Sequence, residues 1–394
     1  MQFLDNLFLN IGQAIRNLLS GFLPDWGVEL VMIIIAASVL TLLAVLTMMF
    51  LTWLERKVVG RIQDRLGPNR VGPFGLMQPM ADMVKMFIKE DITPRDASRW
   101  VYNLGPILVV PPAILAFAVI PFGRGLIGAD LNIGWLYLAA VASTEVIGVF
   151  MAGWGSRNKY ALLGAMRAAA QIVSYEIPQV LSVVGVLLLA GSLSMQKIVE
   201  AQNVWFVLLQ PVGFIIFLIA SVAELARSPF DLPEAESEII AGYHTEYSGL
   251  KFGMFMLSEY ISTFAVSAIA ATMFLGGWRG PILPGWLWFF IKTYVMVFVI
   301  MWMRGTLPRI RVDQLMNFAW KILVPLALAN LLLAGLIAYA LKPGETPGIL
   351  MFIGFLVGNL FLVAGAAALL VWRAPKAEEP KVAIVSPEGV LAGQ

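Results

Sequence analysis

Apolar residues arrive along this chain in nine long runs, at roughly 30–54, 101–122, 133–153, 160–190, 203–223, 250–277, 285–303, 321–341 and 349–372. Each run is uncharged or carries one or two ionisable side chains. About 20 apolar residues in helical form cross the roughly 30 Å hydrocarbon layer of a bilayer. The pattern therefore predicts an all-α, polytopic integral membrane protein with about nine transmembrane helices. Between the first two runs Leu76, Met77, Met80, Met83, Val84, Phe87 and Ile88 recur at helical spacing, with Asp82, Lys85 and Lys89 on other faces. That spacing predicts an amphipathic helix lying on the inner membrane surface or sealing a cavity mouth. The preceding Gly67-Pro-Asn-Arg-Val-Gly-Pro73 is turn chemistry. Asp5, Asn6, Asn10 and Arg16 interrupt the opening segment, which lacks the basic start and unbroken apolar core of a cleaved signal. Residues 1–27 are expected to form an outer interfacial piece.

Composition excludes a soluble domain: 59% of the 394 residues are hydrophobic and only 13% charged, with a mean hydropathy of +0.82. Basic residues in short loops resist translocation. Most of the 27 lysines and arginines share the side of the loop after the first run, which holds Arg56, Lys57, Arg61, Arg65 and Arg70. The N-terminus is thus expected outside and the C-terminus inside. Residues 28–372 would form one transmembrane domain with long inner loops at 55–100 and 224–251, and the polar, Pro-containing 373–394 a flexible cytoplasmic tail. A chain with no cysteine ligates no iron–sulfur cluster through thiolates and forms no disulfide. Its single histidine, His244, cannot alone make a metal site. Any electron carriers are expected on partners. No internal repeat of the transporter kind and no Gly-rich nucleotide fingerprint is present.

The candidate chemistry lies in the charges that the apolar pattern tolerates. Glu145, Glu176, Glu259 and Lys292 fall within runs, where each costs about 2.5–3.5 kcal/mol at mid-membrane. They are expected to face one another or a wet cavity, as a proton relay or as a static ion pair that fixes helix register. Arg167, Gln171 and Ser174 share a helical face, whereas Glu176, nine residues from Arg167, lies about half a turn away at ~100° per residue. Arg167 and Glu176 should therefore look toward different neighbours, and Pro178 permits a bend nearby. The loop at 224–251 breaks the basic pattern with Glu224, Asp231, Glu234, Glu236, Glu238 and Glu246 against Arg227 and Lys251. Pro233 suits a first helical position with Glu234 and Glu236 in the first turn. Capping explains those two acids and leaves Asp231, Glu238 and Glu246 for a desolvated acidic path.

Seven segments carry a resemblance: Trp53-Leu-Glu-Arg-Lys57, Gln63-Asp-Arg-Leu-Gly-Pro-Asn-Arg-Val-Gly-Pro73, Gln78-Pro-Met-Ala-Asp82, Arg167-Ala-Ala-Ala-Gln-Ile-Val-Ser-Tyr-Glu176, Ser228-Pro-Phe-Asp-Leu-Pro-Glu-Ala-Glu-Ser-Glu238, Glu246-Tyr-Ser-Gly249 and Pro308-Arg-Ile-Arg-Val-Asp-Gln-Leu-Met316. In this order they resemble signatures of the quinone-site membrane subunit family of respiratory complex I, the proton-translocating NADH:quinone oxidoreductase, from about residue 28 to 341. The resemblance implies a subunit of the bacterial inner membrane joining the peripheral electron-transfer arm to small and antiporter-like membrane subunits. Quinone would be its substrate, with FMN and iron–sulfur clusters held by partners. It further implies that Arg56, Arg65, Phe230, Arg309 and Arg311 line the quinone chamber or its mouth. Asp231, Glu234, Glu236, Glu238 and Glu246 would lead protons away from it, and Glu145, Glu176 and Glu259 would carry them into the membrane. Arg56 also fits plain positive-inside anchoring. The ninth run departs from the family's minimal eight spans. An energy-converting hydrogenase subunit, which reduces protons, and a stand-alone cation/proton antiporter are the rival readings.

Overall fold

A computed structural model describes residues 7–233, 236–341 and 349–373. Lipid offers backbone groups no hydrogen bonds, so spanning segments must satisfy their own, and the named elements are all helical. In chain order they are α1 (Leu7–Ser20), α2 (Asp25–Ile62), α3 (Gln78–Ile88), α4 (Arg99–Phe117), α5 (Gly134–Ser143), α6 (Glu145–Gly155), α7 (Lys159–Ala190) and α8 (Met195–Ala201). There follow α9 (Phe206–Leu209), α10 (Pro211–Glu224), α11 (Glu236–Ile239), α12 (Gly249–Phe274), α13 (Gly285–Thr306), α14 (Val312–Phe318), α15 (Val324–Leu341) and α16 (Ile349–Arg373).

Seven of the described helical segments are long and apolar enough to cross a membrane, and α10 and Phe352–Gly365 of α16 are shorter apolar helices. Together they coincide in order with the nine apolar runs. The fifth run is a broken helix rather than a continuous one. Pro211 disfavours helical backbone at the residue before it, and Gln210, at φ −128° and ψ 61°, separates α9 from α10. The eighth run starts earlier than its apolar content suggests, because α14 continues through a π-helical turn at Ala319–Leu323 into α15. The amphipathic period after the first run is realised as α3.

The long helix α7 is central and packs against α6, α10 and α15. Small residues set the closest approaches: a Cβ on Gly105 of α4 would stand 3.1 Å from Ala152 of α6. The acidic loop approaches α7 in the same way, since a Cβ on Gly164 would meet the Gly242 backbone at 2.6 Å.

Lys292 does not sit among the membrane carboxylates, as its charge had suggested. Its ammonium donates to the carbonyls of Leu275 at 2.7 Å, Gly277 at 3.0 Å and Arg279 at 2.6 Å. It lies 5.2 Å from the Trp205 ring centroid and 5.9 Å from that of Trp288. The carbonyls left unpaired at and beyond a helix C-terminus attract a cation, and here they use all three of its donors.

Candidate functional site

Glu145 at the start of α6, Glu224 at the end of α10 and Glu259 in α12 line one cavity of about 100 Å³. Waters occupy about 30 Å³ each in the liquid, so there is room for a few. Val109, Phe255 and Val266 supply apolar wall, and Ala226, Pro233 and Tyr243 bring the acidic loop over the cavity. Sequence position groups Glu224 with the loop acids, whereas α10 carries it to its last turn and into this space.

A buried charge network adjoins the cavity. Arg227 is only 3% exposed; its Nη1 donates to Glu55 at 2.8 Å and its Nε reaches Glu259 at 2.7 Å. Glu55 also accepts from Arg304 of α13. The Arg227 guanidinium lies 4.6 Å from the Tyr260 ring centroid. Buried charge is tolerated when paired and hydrogen-bonded, and the network joins α2, the loop, α12 and α13. Sequence reasoning gave no functional role to Glu55, Arg227 or Arg304. The available signal for Glu55 and Arg227 was a charge placed where an apolar helix meets a motif-bearing loop.

The remaining acids find separate partners. Arg167 pairs with Glu238 at 2.6 Å, and Glu176 accepts from Ser143, so Arg167 and Glu176 do look toward different neighbours. Gln171, on the face of Arg167, donates to the carbonyls of Ala223 at 2.7 Å and Phe230 at 2.8 Å. This holds the two ends of the loop turn against α7. Phe230 is buried, its ring 5.7 Å from Tyr175, and Asp231 pairs with Arg309 at 2.9 Å. Glu246 accepts from Asn158 at 2.7 Å, beside Tyr102 and Tyr247, whose rings stack at 4.2 Å. Glu234 lies outside the described residues, as does the Glu236 side chain. Among the described residues no group of three His, Cys, Asp or Glu gathers as a metal site. His244 is buried instead against Tyr243, Phe252 and Phe255.

A second, larger cleft of about 460 Å³ opens between α2, α3 and α12. Met83, Met86, Phe87, Met254, Met256 and Leu257 give it an adaptable apolar wall, and Thr52, Arg56, Asp82 and Tyr260 supply polar groups. Arg65, on the turn after α2, is exposed and donates to Gln63 at 2.7 Å. Arg311 is exposed at the start of α14. Arg65, Phe230, Arg309 and Arg311 lie outside the lining of this cleft.

Arg56 meets Asp82 at 2.6 Å and so fixes α3 to α2. Burial pushes the Asp82 carboxyl up, but the hydrogen bond and charge of Arg56, with Gln78 and Lys85, outweigh it and hold the group below the ordinary 3.8. A carboxylate so depressed adds stability above its unfolded-state value and loses it as pH falls through the lower folded value. The attachment should therefore be intact at neutral pH and weaken only in acid. Half-exposed Arg56 limits its worth to about 0–1 kcal/mol. Asp82→Asn is expected to raise proteolytic cleavage around α3 modestly at pH 7 and to remove the acid-side increase expected of the parent.

Known proteins are similar to this chain over most of its length. Residues 34–335 match the family model described as NADH dehydrogenase. The chain is 58% identical over 289 residues to a NADH-quinone oxidoreductase subunit of Dehalococcoides mccartyi, covering 73% of this chain and 82% of that protein. It is 52% identical to a like-named subunit of Geobacter sulfurreducens, covering 73% and 90%. Against the like-named subunit of Brevibacillus brevis it is 51% identical, covering 80% and 95%.

Proposed function

Given that this chain belongs to the NADH dehydrogenase family and is a membrane subunit of NADH-quinone oxidoreductase, complex I, we propose that it helps form the quinone chamber and passes the charge change of quinone reduction to buried carboxylates. One observation carries this reading: Arg227 stands between the apolar cleft and the acid cavity. Tyr260 lines the cleft and lies against the Arg227 guanidinium, while Glu259, paired with Arg227, lines the cavity.

Reducing a quinone to its quinol takes up two electrons and two protons, so negative charge develops before protonation completes. At a low effective dielectric such charge acts strongly over several ångströms. Arg227, shared between Glu55 and Glu259, is the group placed to respond. A shift of its guanidinium toward the cleft and Glu55 loosens its hold on Glu259, which then exchanges a proton with water in the cavity beside Glu145 and Glu224. Acids this close titrate as a group, so one change is shared by all three. The loop acids Asp231, Glu234, Glu236, Glu238 and Glu246 lead toward this point, and Arg65, Phe230, Arg309 and Arg311 belong to the chamber's border with the peripheral arm. Glu176, against Ser143, continues the route inward.

Its partners are other complex I subunits. We place the quinone-site and terminal iron–sulfur subunits against the motif-bearing loops, and small and antiporter-like subunits against the helices. FMN and the clusters sit on those partners, and the assembly lies in the bacterial inner membrane with the N-terminus outside. The division into an interfacial segment at 1–27, a membrane domain at 28–372 and a tail at 373–394 belongs to the same reading. In the assembled complex, a photoreactive quinone is expected to label α3 and α12 where Phe87 and Leu257 face the cleft. Labelling confined to other subunits removes the cleft from the substrate's path.

A further inference from the structure

A row of buried polar side chains leaves the acid cavity on the side away from the acidic loop and follows the seam between α7 and α10. Gln179 donates to Ser221 at 3.0 Å, and the Ser182 hydroxyl donates to the Gln179 carbonyl at 2.6 Å. Beyond them stand Gln210 at the α9–α10 break and Asn330 of α15, 0% and 1% exposed. From Glu224 to Gln210 is 14 residues of chain, almost all of it α10, or about 21 Å at 1.5 Å per residue. That length is comparable with most of the roughly 30 Å apolar layer.

The two amides at its end have no protein hydrogen-bond partner. Both side-chain atoms of Gln210 and both of Asn330 are buried without a hydrogen bond. Two glycines let both amides pack against the helices without a side chain between them. A Cβ on Gly185 would stand 2.7 Å from Gln210 Oε1, and one on Gly213 would stand 3.0 Å from Asn330 Nδ2, 3.3 Å from Gln210 Oε1 and 3.5 Å from the Ser182 carbonyl. The start of α10 points here with no side-chain cap. Next along the chain, the Leu209 carbonyl accepts from Asn359 of α16 at 2.9 Å, so a helix beyond the family-model match packs against the break.

Polar residues between membrane helices often serve as glue, but glue requires hydrogen bonds across the interface, which Gln210 and Asn330 do not make. A buried amide left unpaired costs about 1–3 kcal/mol per group, and ordered water is the usual remedy. A cation is disfavoured by the positive end of the α10 dipole, and an unpaired anion by its desolvation. Neutral water satisfies both constraints.

We propose that the α9–α10 break is a water-binding site formed by Gln210, Asn330 and the start of α10, and that it is the far leg of a proton route beginning at Glu224. The second half of this statement rests on the proton reading of the acid cavity; the first does not. In a map of the assembled complex that resolves waters, at least one is expected within hydrogen-bond distance of both Gln210 and Asn330. In coupled membrane vesicles, Asn330→Leu is expected to lower the ratio of protons moved to NADH oxidised while ferricyanide reduction by the peripheral arm is unchanged. Gly213→Ala, which crowds both amides without removing either, should do the same and carries the test if Asn330→Leu does not assemble. A site empty of water overturns the proposal. An unchanged proton ratio in Gly213→Ala overturns the route if Glu224→Gln is impaired; if Glu224→Gln is also unimpaired, the proton reading of the cavity fails with it.

Discussion

Arg227→Leu is expected to prevent stable accumulation of the subunit in the complex. The substitution removes the cation shared by Glu55 and Glu259, at 2.8 and 2.7 Å, and leaves Glu55 with Arg304 alone and Glu259 without this partner. Breaking a buried ion pair from one side costs about 3–5 kcal/mol, because the surviving charge stays desolvated. Against a typical net stability of about 5–15 kcal/mol that is a large fraction, and the acidic loop loses its tie to α2 and α12. Arg227→Lys should assemble better but still poorly, since one ammonium lacks the planar fork that reaches two carboxylates from different sides. Adding Glu259→Gln to Arg227→Leu removes the uncompensated charge and should recover part of the lost complex. Native gels and immunodetection of the membrane arm measure the outcome. Parental levels of complex in Arg227→Leu would show that the network is dispensable.

The second large effect is functional. Glu259→Gln and Glu145→Gln preserve side-chain volume in the cavity and remove a proton-exchanging group. Both variants are expected to assemble, because Arg227 keeps Glu55 and most of the remaining cavity wall is apolar. A positioned acid or base in a proton-transfer step is worth about 10²-fold or more. NADH:quinone reductase and its proton movement should therefore fall together by that order, while NADH:ferricyanide reduction, which bypasses this subunit, is retained. Parental quinone reduction with full proton movement in both variants would sever the cavity from the coupling path.

The apolar runs located the described helices well, and the exceptions have local causes. Pro211 broke the fifth run at Gln210, and the eighth extended back through polar residues of α14 because its π-helical turn continues the chain's helical path. The amphipathic spacing around Met80 to Ile88 found α3 without help from packing. The site was legible unevenly. Charges inside apolar runs pointed to Glu145 and Glu259, which share a cavity, and helical spacing correctly separated Arg167 from Glu176. Lys292 carried the same signal and proved to satisfy the carbonyls beyond its neighbour helix, because a buried cation accepts any array of oxygens. Glu55 and Arg227 lie 172 positions apart, and no local pattern announces a pairing at that separation.

By itself, then, the order of residues determined that the chain spans a membrane, where its helices lie and to which family it is similar, since lipid imposes one rule on every spanning segment and that rule is written in run length. Tertiary structure alone decided which charges meet: that Arg227 joins Glu55 to Glu259, that Glu224 enters the cavity, and that two unpaired amides gather at a helix break. Burial costs the same wherever a charge sits along the chain, whereas its compensation depends on neighbours brought together in three dimensions.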